Sequence, residues 1–309
     1  MTKKTRITTM FASLLVLTAL IQNPISAQRP ISQLESQKIS SRGAIRNLAT
    51  PVTLPGFLAS SAPSLSPASV LPQDGPGVRP VTRATTITES GSYVLIHDIE
   101  IGAPSTAIVI AANNVSLNLN GHALTGPGNK QGVGIDIANV NSISIHNGTI
   151  AGFGTGIRVA SSHDVRAESL QIRGEDGGGP PPGEVGVLVL NSRAVVLKDN
   201  SISRTFLGIF VRGGGSGGNR IAGNTLVGGQ NGQIGICYNP DGSVSLAGPK
   251  GDLVYNNLVS RFNIGIQTSL QTLGNIFREN NIAFFQQAIN EVTPGSNVFE
   301  DNTAIAIVP

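Results

Sequence analysis

A four-residue phrase, Gly-Ile-x-Val or a close variant, recurs along this chain and restricts its fold more than any other feature. The copies begin at Gly134, Gly156, Gly186, Gly208, Gly235, Gly265 and, in a degenerate form, Ala288. Successive copies stand 22 to 30 residues apart, which indicates a basic repeat of about 22 residues with insertions in some copies. A period of this size predicts stacked coils of equivalent structure.

A second apolar phrase alternates with the first. Two apolar residues flank one other residue, and a third apolar residue follows five positions later in Ile143/Ile145/Ile150 and Val195/Leu197/Ile202, and three positions later in Leu253/Tyr255/Leu258. Alternation over such short spans is typical of strands and not of helices. The two phrases predict an all-β, single-stranded, right-handed parallel β-helix of about eight coils, in which each strand pairs with its copy one coil away at about 4.8 Å.

Asparagine recurs at one place in the second phrase, two residues before its last apolar residue. The predicted equivalents are Asn200, Asn224, Asn256, Asn280 and Asn302. Asparagine tolerates a left-handed bend, and stacked asparagine side chains hydrogen-bond one another along the stacking axis. We therefore expect an asparagine ladder at one corner of the solenoid.

The first 85 residues differ in composition from the rest of the chain. Lys3, Lys4 and Arg6 precede an uncharged apolar run at 7–21, and small residues follow, so we predict a signal peptide at 1–27, with an uncleaved anchor as the alternative. Residues 28–85 are rich in Ser and Pro and predict a disordered, flexible linker. The β-helix domain is then expected at 86–309, with a secreted or periplasmic location and no membrane span after signal removal.

Charge and cysteine content exclude several classes of function. Residues 1–85 hold 9 Lys+Arg and 2 Asp+Glu, whereas 86–309 hold 12 and 16, so the predicted domain carries a net charge of −4. This argues against a nucleic-acid partner, and against a strongly polyanionic ligand unless basic residues cluster locally. Cys237 is the single cysteine and the four histidines are scattered, so we predict neither a disulfide nor a metal site.

Two segments resemble the right-handed parallel β-helix, or pectin-lyase-like, superfamily. Residues 87–99 look like the family's entry to its first coil, and residues 113–122 look like its first full strand and turn. The resemblance covers about 86–309 and implies the fold, with activities that range from polysaccharide lyases, glycoside hydrolases and uronate epimerases to tailspikes, adhesins and periplasmic accessory proteins. The Asp-Asp, Gly-His-Gly, Arg-x-Lys and Asp-Pro-His motifs of its hydrolases and epimerases are absent, so no catalytic residue is transferred.

The outward positions of the second phrase provide the catalytic candidates. Alternation brings His146, Arg166, Glu168 and Lys198 together as a polar patch on neighbouring coils. Elimination from a uronate needs a base for the C5 proton and a cation for the carboxylate, which suits His146 or Lys198 as base and Arg166 as clamp. The alternative is a set of alternating charges that keeps a parallel sheet soluble.

The outward positions of Gly-Ile-x-Val provide the substrate-binding candidates. Asp136 and Arg158 should lie one coil apart and pair, and Phe210 would offer a ring for sugar stacking. Lys130 lies in one of the insertions, 126–132, 173–184 and 227–233, that share a corner, and a fourth insertion occupies 239–250. The alternatives are a surface ion pair beside an apolar stripe and solvated loops without function.

These features favour an exported protein that binds or modifies a polysaccharide or cell-surface glycan along its flank, as a lyase or epimerase if it is an enzyme. The alternative is a non-catalytic interaction or structural protein of the cell surface or periplasm. No cofactor is predicted, and a Ca²⁺ requirement stays open because no motif for it is recognisable. The apolar segment 304–309 suggests a homo-oligomer formed through the C-terminal coil, unless the linker covers it.

Overall fold

The computed structural model describes residues 77–103, 105–175, 184–239, 248–269, 271–292 and 295–307. The predicted signal peptide and most of the predicted linker lie outside these residues. The described part consists of strands and turns and contains no helix. None of the described residues forms a helix with the length and hydropathy that crossing a bilayer requires.

The chain forms 24 strands, and their short lengths follow from the short alternating phrases. They are β1 (Val78–Val81), β2 (Thr85–Ile87), β3 (Gly91–Leu95), β4 (Ile99–Glu100), β5 (Thr106–Ile110), β6 (Val115–Asn118), β7 (Ala123–Thr125), β8 (Val133–Ala138), β9 (Asn141–Ala151), β10 (Thr155–Ala160), β11 (His163–Arg173), β12 (Val185–Leu190), β13 (Arg193–Lys198), β14 (Ser201–Thr205), β15 (Leu207–Arg212), β16 (Arg220–Ala222), β17 (Thr225–Gly228), β18 (Ile234–Asn239), β19 (Leu253–Tyr255), β20 (Leu258–Thr268), β21 (Ile276–Arg278), β22 (Asn281–Glu291), β23 (Val298–Glu300) and β24 (Thr303–Ala306).

All strand pairs are parallel, and they form three long sheets around one core. Sheet A contains β2, β5, β8, β10, β12, β15, β18 and the second halves of β20 and β22. Sheet B contains β1, β3, β6, the first halves of β9 and β11, and β13, β16, β19, β21 and β23. Sheet C contains β4, β7, the second halves of β9 and β11, β14, β17, the first halves of β20 and β22, and β24.

The predicted fold is confirmed: the chain winds through sheets A, B and C in turn as a right-handed parallel solenoid of about eight coils. Each level of a sheet is called a rung below. Strand β1 pairs with β3, so the first strand of the solenoid precedes residue 86, where the sequence places the start of the domain.

The core consists of stacked aliphatic side chains. Ile135, Ile157 and Val187 are consecutive partners in sheet A, as the repeat predicts, and all three are fully buried. Burial of one such side chain contributes about 1.5–3 kcal/mol. Because each coil buries its apolar residues against the next, the stack supplies most of the stability of the described part.

The Gly-Ile-x-Val phrase requires glycine because a side chain would not fit at this position, and not because the backbone is left-handed. A Cβ atom on Gly156 would lie 2.5 Å from Cγ2 of Ile172 and 2.6 Å from the carbonyl oxygen of Gly186, the next glycine in the row. Neither glycine has a positive φ. The phrase therefore begins with glycine because the backbone of sheet A lies against a core side chain of sheet C at this position and leaves no room for a Cβ atom.

The predicted asparagine ladder is present, with one correction. Its members are Asn200, Asn224, Asn257, Asn280 and Asn302, and each Nδ2 donates to Oδ1 of the next member at 2.9–3.0 Å. Asn256, the predicted member, is instead a turn residue with a φ of 53°.

The wrong assignment arose from a slip of one position in this coil. Leu258 is 46% exposed, whereas Val259 is fully buried and pairs with Leu226. The inward position is therefore Val259, and the residue two places before it is Asn257. Two adjacent asparagines and two adjacent apolar residues made both assignments compatible with the sequence pattern.

A second ladder, which the sequence reading missed, lies at the corner where the chain enters sheet B. Its members are Asn219, Asp252, Asn275 and Asn297. The carboxylate of Asp252 accepts hydrogen bonds from the backbone N–H (2.8 Å) and Nδ2 (3.0 Å) of Asn219. Asp252 is 1% exposed, and burial raises the pKa of its carboxyl group although these donors act in the opposite direction.

Candidate functional site

The outer surface of sheet B carries most of the polar side chains that the coil repeat brings into line. Strand alternation exposes two rows of residues, with one member of each row on every rung. The first row reads Ser92, Ser116, Ser144, Arg166, Val196, Arg220, Leu253, Ile276 and Val298. The second row reads Asn118, His146, Glu168, Lys198, Ala222, Tyr255, Arg278 and Glu300.

A shallow groove of about 360 Å³ runs along the beginning of the first row. Its polar lining comes from Ser92, Asn114, Ser116, Ser142, Ser144, Asp164 and Arg166. The hydroxyl of Ser142 donates to Oδ2 of Asp164 at 3.0 Å, which holds this carboxylate at the rim. Neighbouring hydroxyls about 4.8 Å apart, with a carboxylate and a guanidinium at one end, form a strip of hydrogen-bonding groups open to solvent.

The four predicted catalytic residues lie together on three consecutive rungs of this surface. His146 pairs with Glu168 across the first two rungs, and Glu168 pairs with Lys198 across the next. Arg166 is two residues before Glu168 on the same strand, so both point outward. The groove ends at Arg166, so the patch and the groove form one continuous surface.

Two of the cations in this patch already have carboxylate partners. Nη1 of Arg166 donates to Oε1 of Glu168 at 2.9 Å, and Nζ of Lys198 lies 3.1 Å from Oδ2 of Asp199. All four side chains are partly exposed, so each ion pair is worth about 0–1 kcal/mol. Chemically, the patch offers an imidazole as proton acceptor beside an oriented guanidinium.

The predicted substrate-binding residues lie elsewhere. Asp136 and Arg158 are neighbours on sheet A and form two hydrogen bonds of 2.7 and 2.6 Å between guanidinium and carboxylate. Hydrogen bonding to Asp136 raises the pKa of Arg158. The pair faces away from the patch on sheet B, so the structure does not combine the two predicted sets into one site.

Phe210 and Lys130 also lie apart from sheet B. Phe210 follows the predicted register on sheet A, but its ring is 6% exposed and lies beneath the guanidinium of Arg212, 5.7 Å from the ring centroid. It has little free surface for sugar stacking. Lys130 lies between β7 and β8, at the corner of sheets C and A.

The insertion at 173–184 is at that same corner, as predicted. Its described ends are held together, because the backbone N–H of Glu175 donates to Oε1 of Glu184 at 2.8 Å. Residues 176–183 lie outside the described part. The patch on sheet B lies on β9, β11 and β13, whereas the described ends of this insertion connect sheet C to sheet A.

Three residues that the sequence reading did not combine form a cluster further along sheet B. Tyr255 has Arg220 on the preceding rung and Arg278 on the following rung, with guanidinium carbons 5.1 and 5.6 Å from its ring centroid. The same slip of one position that misplaced Asn256 hid this cluster, because it assigned Tyr255 to the core. The stack of inward residues Ile221, Val254 and Phe277 was the signal that would have exposed it.

The described residues offer no grouping of three or more His, Cys, Asp and Glu side chains that could hold a metal ion. Cys237 is buried on sheet A, and burial raises the pKa of its thiol to about 12.

Comparison with known proteins agrees with the solenoid. The sequence family described as "Right handed beta helix region" matches residues 86–244. An alginate lyase from Paenibacillus sp. str. FPU-7 has a similar structure, with a TM-score of 0.51 and 16% sequence identity over 72% of this chain and 89% of the lyase. At this level of identity the likeness shows the fold alone.

Two further solved structures align with lower scores. The Dettilon tailspike protein aligns with a TM-score of 0.43 and 12% identity, over 74% of this chain and 55% of the tailspike. The A-module of a mannuronan C-5 epimerase from Azotobacter vinelandii aligns with a TM-score of 0.31 and 12% identity, over 75% and 81% of the two chains. No curated protein sequence matches this chain.

Proposed function

The chain belongs to the right-handed β-helix family, and from this premise we propose that it is an exported protein that binds a polysaccharide along the outer surface of sheet B. The observation that carries the proposal is the continuous strip formed by the serine groove, Arg166 and His146. Export rests on the signal peptide predicted at 1–27, which places the protein in the periplasm or outside the cell.

The spacing of the strip supports a polymeric sugar as ligand. Rungs repeat at about 4.8 Å, close to the length of one pyranose residue in an extended chain. Ser92, Ser116 and Ser144 repeat at this interval, and each hydroxyl both donates and accepts hydrogen bonds. A sugar chain aligned with the solenoid axis therefore meets an equivalent hydrogen-bonding group at each residue.

Two observations bear on catalysis, and they favour different forms of the proposal. His146 beside Arg166 suits a lyase or epimerase: the imidazole takes the C5 proton of a uronate while the guanidinium stabilises the charge that develops on the carboxylate. In elimination the C4–O bond then breaks and a C4–C5 double bond forms; in epimerisation a proton returns to C5 from the other face. The partners of Arg166 and Lys198 within the protein instead favour a non-catalytic interaction protein.

The test uses the full chain and a panel of polysaccharides, acidic and neutral, followed by affinity electrophoresis and by absorbance of an unsaturated uronate product. Binding should weaken about tenfold, or 1.4 kcal/mol, when Arg166 is changed to Met. Gln171→Ala, an exposed substitution on sheet C, is the matched control and should bind as the wild type does.

Each outcome separates the alternatives. A product signal that His146→Ala abolishes would establish the lyase form. Binding without product, and without change of C5 configuration by NMR, would establish the non-catalytic form. Failure of every polysaccharide to bind would contradict the proposal.

A further inference from the structure

We propose that Arg220, Tyr255 and Arg278 form a second subsite on sheet B, which binds the negatively charged groups of an acidic polysaccharide. This inference rests on the proposed function and narrows its ligand to an anionic polymer. It also sets a minimum length for that polymer, because the subsite is separate from the groove near Arg166.

The cluster is held together without any contribution from a ligand. Nη2 of Arg220 donates to the hydroxyl of Tyr255, and both guanidinium groups lie within cation–π distance of the ring. Tyr255 is half-buried between its neighbours, whereas both arginine side chains are exposed. The ring therefore acts as a spacer that keeps two guanidinium groups about two rungs, or about 9.6 Å, apart.

Several cations on the outer sheets have a carboxylate partner within 4.0 Å, and the two arginines of the cluster do not. Arg158, Arg166 and Lys198 each form an ion pair. Among the described residues, no carboxylate lies within 4.0 Å of Arg220 or Arg278, although Glu300 follows Arg278 in the second row. A domain with a net charge of −4 thus presents a local pair of uncompensated positive charges.

Guanidinium groups favour carboxylate and sulfate, since their planar fork binds two oxygens of such groups at once. A repeating acidic polymer supplies several of these groups along one line, as the two arginines require.

The position of the cluster sets the length of the ligand. Arg166 and Arg278 lie four rungs apart, which corresponds to about 19 Å along the solenoid axis. From Arg166, a disaccharide reaches no further than Arg220, which is two rungs away, whereas an octasaccharide contacts both arginines of the cluster. Removal of the cluster should therefore weaken the binding of long ligands more than the binding of a disaccharide.

The experiment compares the full chain with the double variant Arg220→Gln/Arg278→Gln. The control is a variant with Arg173→Gln and Arg193→Gln, which removes two positive charges from exposed positions outside the cluster. Each protein is titrated with polygalacturonate, dextran sulfate and neutral dextran, and with di- and octasaccharides of galacturonate. Melting temperatures show whether all three proteins are folded.

We expect the double variant to bind acidic polymer and octasaccharide at least tenfold more weakly, with a shallower dependence on salt, and to lose less affinity for the disaccharide. Comparison of polygalacturonate with dextran sulfate then identifies carboxylate or sulfate as the preferred group. The control variant should lose less than threefold.

Several results would overturn the inference. If acidic polysaccharide binds the wild type and the double variant equally, the subsite is wrong and the proposed function stands. If neutral dextran binds as tightly as the acidic polymers, the ligand class is wrong. If no polysaccharide binds the wild type, the proposed function fails and the subsite with it.

Discussion

The asparagine ladder inside the solenoid and the second row on the outside of sheet B have the same coil repeat. The ladder keeps one residue type from coil to coil, whereas the row does not. The ladder places asparagine in five successive coils, whereas the row changes from His146 to Glu168, Lys198, Ala222 and Tyr255. Inside, each amide is the hydrogen-bonding partner of the next, so one change leaves a buried group unsatisfied. Outside, water satisfies any polar group, and the row is free to carry function.

Asn224→Ala should have the largest effect on stability. It removes the acceptor of both the backbone N–H and Nδ2 of Asn200, and the donor to Leu197 and Asn257. Unsatisfied buried groups cost about 1–3 kcal/mol each, so we expect a loss of about 3 kcal/mol in urea unfolding followed by circular dichroism. A loss as small as that of Gln171→Ala would contradict the structural role of the ladder.

Gly156→Ala should be the next most destabilising change. The added methyl group collides with Ile172 and with the backbone of Gly186, and overpacking of this kind costs about 1–3 kcal/mol. Gly102→Ala is the matched control, because a Cβ atom there meets nothing within 4 Å and φ is not positive. Thermal melts of both variants decide the point, and equal melting temperatures would show that the close approach of sheets A and C is absent.

Asp252→Asn should stabilise the protein by about 1 kcal/mol at neutral pH, since an amide restores a ladder hydrogen bond and avoids a buried charge. Burial raises the pKa of the Asp252 carboxyl group above its ordinary value of 3.8. A raised pKa means that the folded state binds the proton more tightly. The wild-type contribution is therefore complete below pH 3.8 and is lost as the pH rises through the folded-state pKa.

The advantage of Asp252→Asn should accordingly appear as the pH increases from about 4 towards neutrality and be smallest in acid. Urea unfolding across this range measures it. Asn224→Asp provides the reverse control, because it introduces the same buried carboxyl group into the all-asparagine ladder and should destabilise at neutral pH. An advantage of Asp252→Asn that is independent of pH would show that the carboxyl group is not the cause.

Arg166→Met should have the smallest effect on stability, within about 0.5 kcal/mol, as expected for an exposed side chain. The same variant should bind polysaccharide about tenfold more weakly. A reversed result, in which stability falls and binding is kept, would remove the distinction between a structural interior and a functional outer row. Urea unfolding and affinity electrophoresis on one preparation measure both quantities.

The interior was predictable from the sequence because it repeats. The Gly-Ile-x-Val phrase predicted the stack of Ile135, Ile157 and Val187, and four of five ladder asparagines were assigned correctly. The prediction slipped at 253–259, where Leu253, Tyr255 and Leu258 match the apolar pattern one position out of phase. Local pattern alone does not resolve two adjacent registers, whereas continuity with the coils on either side does.

The outer surface was less predictable because no partner within the chain constrains it. Alternation correctly brought His146, Glu168 and Lys198 onto consecutive rungs. It did not bring Arg220, Tyr255 and Arg278 together, because the prediction was one position out of register at Tyr255. Which sheet a position faces depends on the number of residues in each turn, and insertions change that number from coil to coil.

The most direct test of sugar binding by sheet B is a crystal structure of the full chain with an acidic octasaccharide. If sheet B binds the sugar, electron density for the sugar chain should lie along the first and second rows of sheet B, parallel to the solenoid axis. The chain should contact the groove serines and Arg166. Density over sheet A or sheet C, with sheet B occupied by solvent alone, would contradict it.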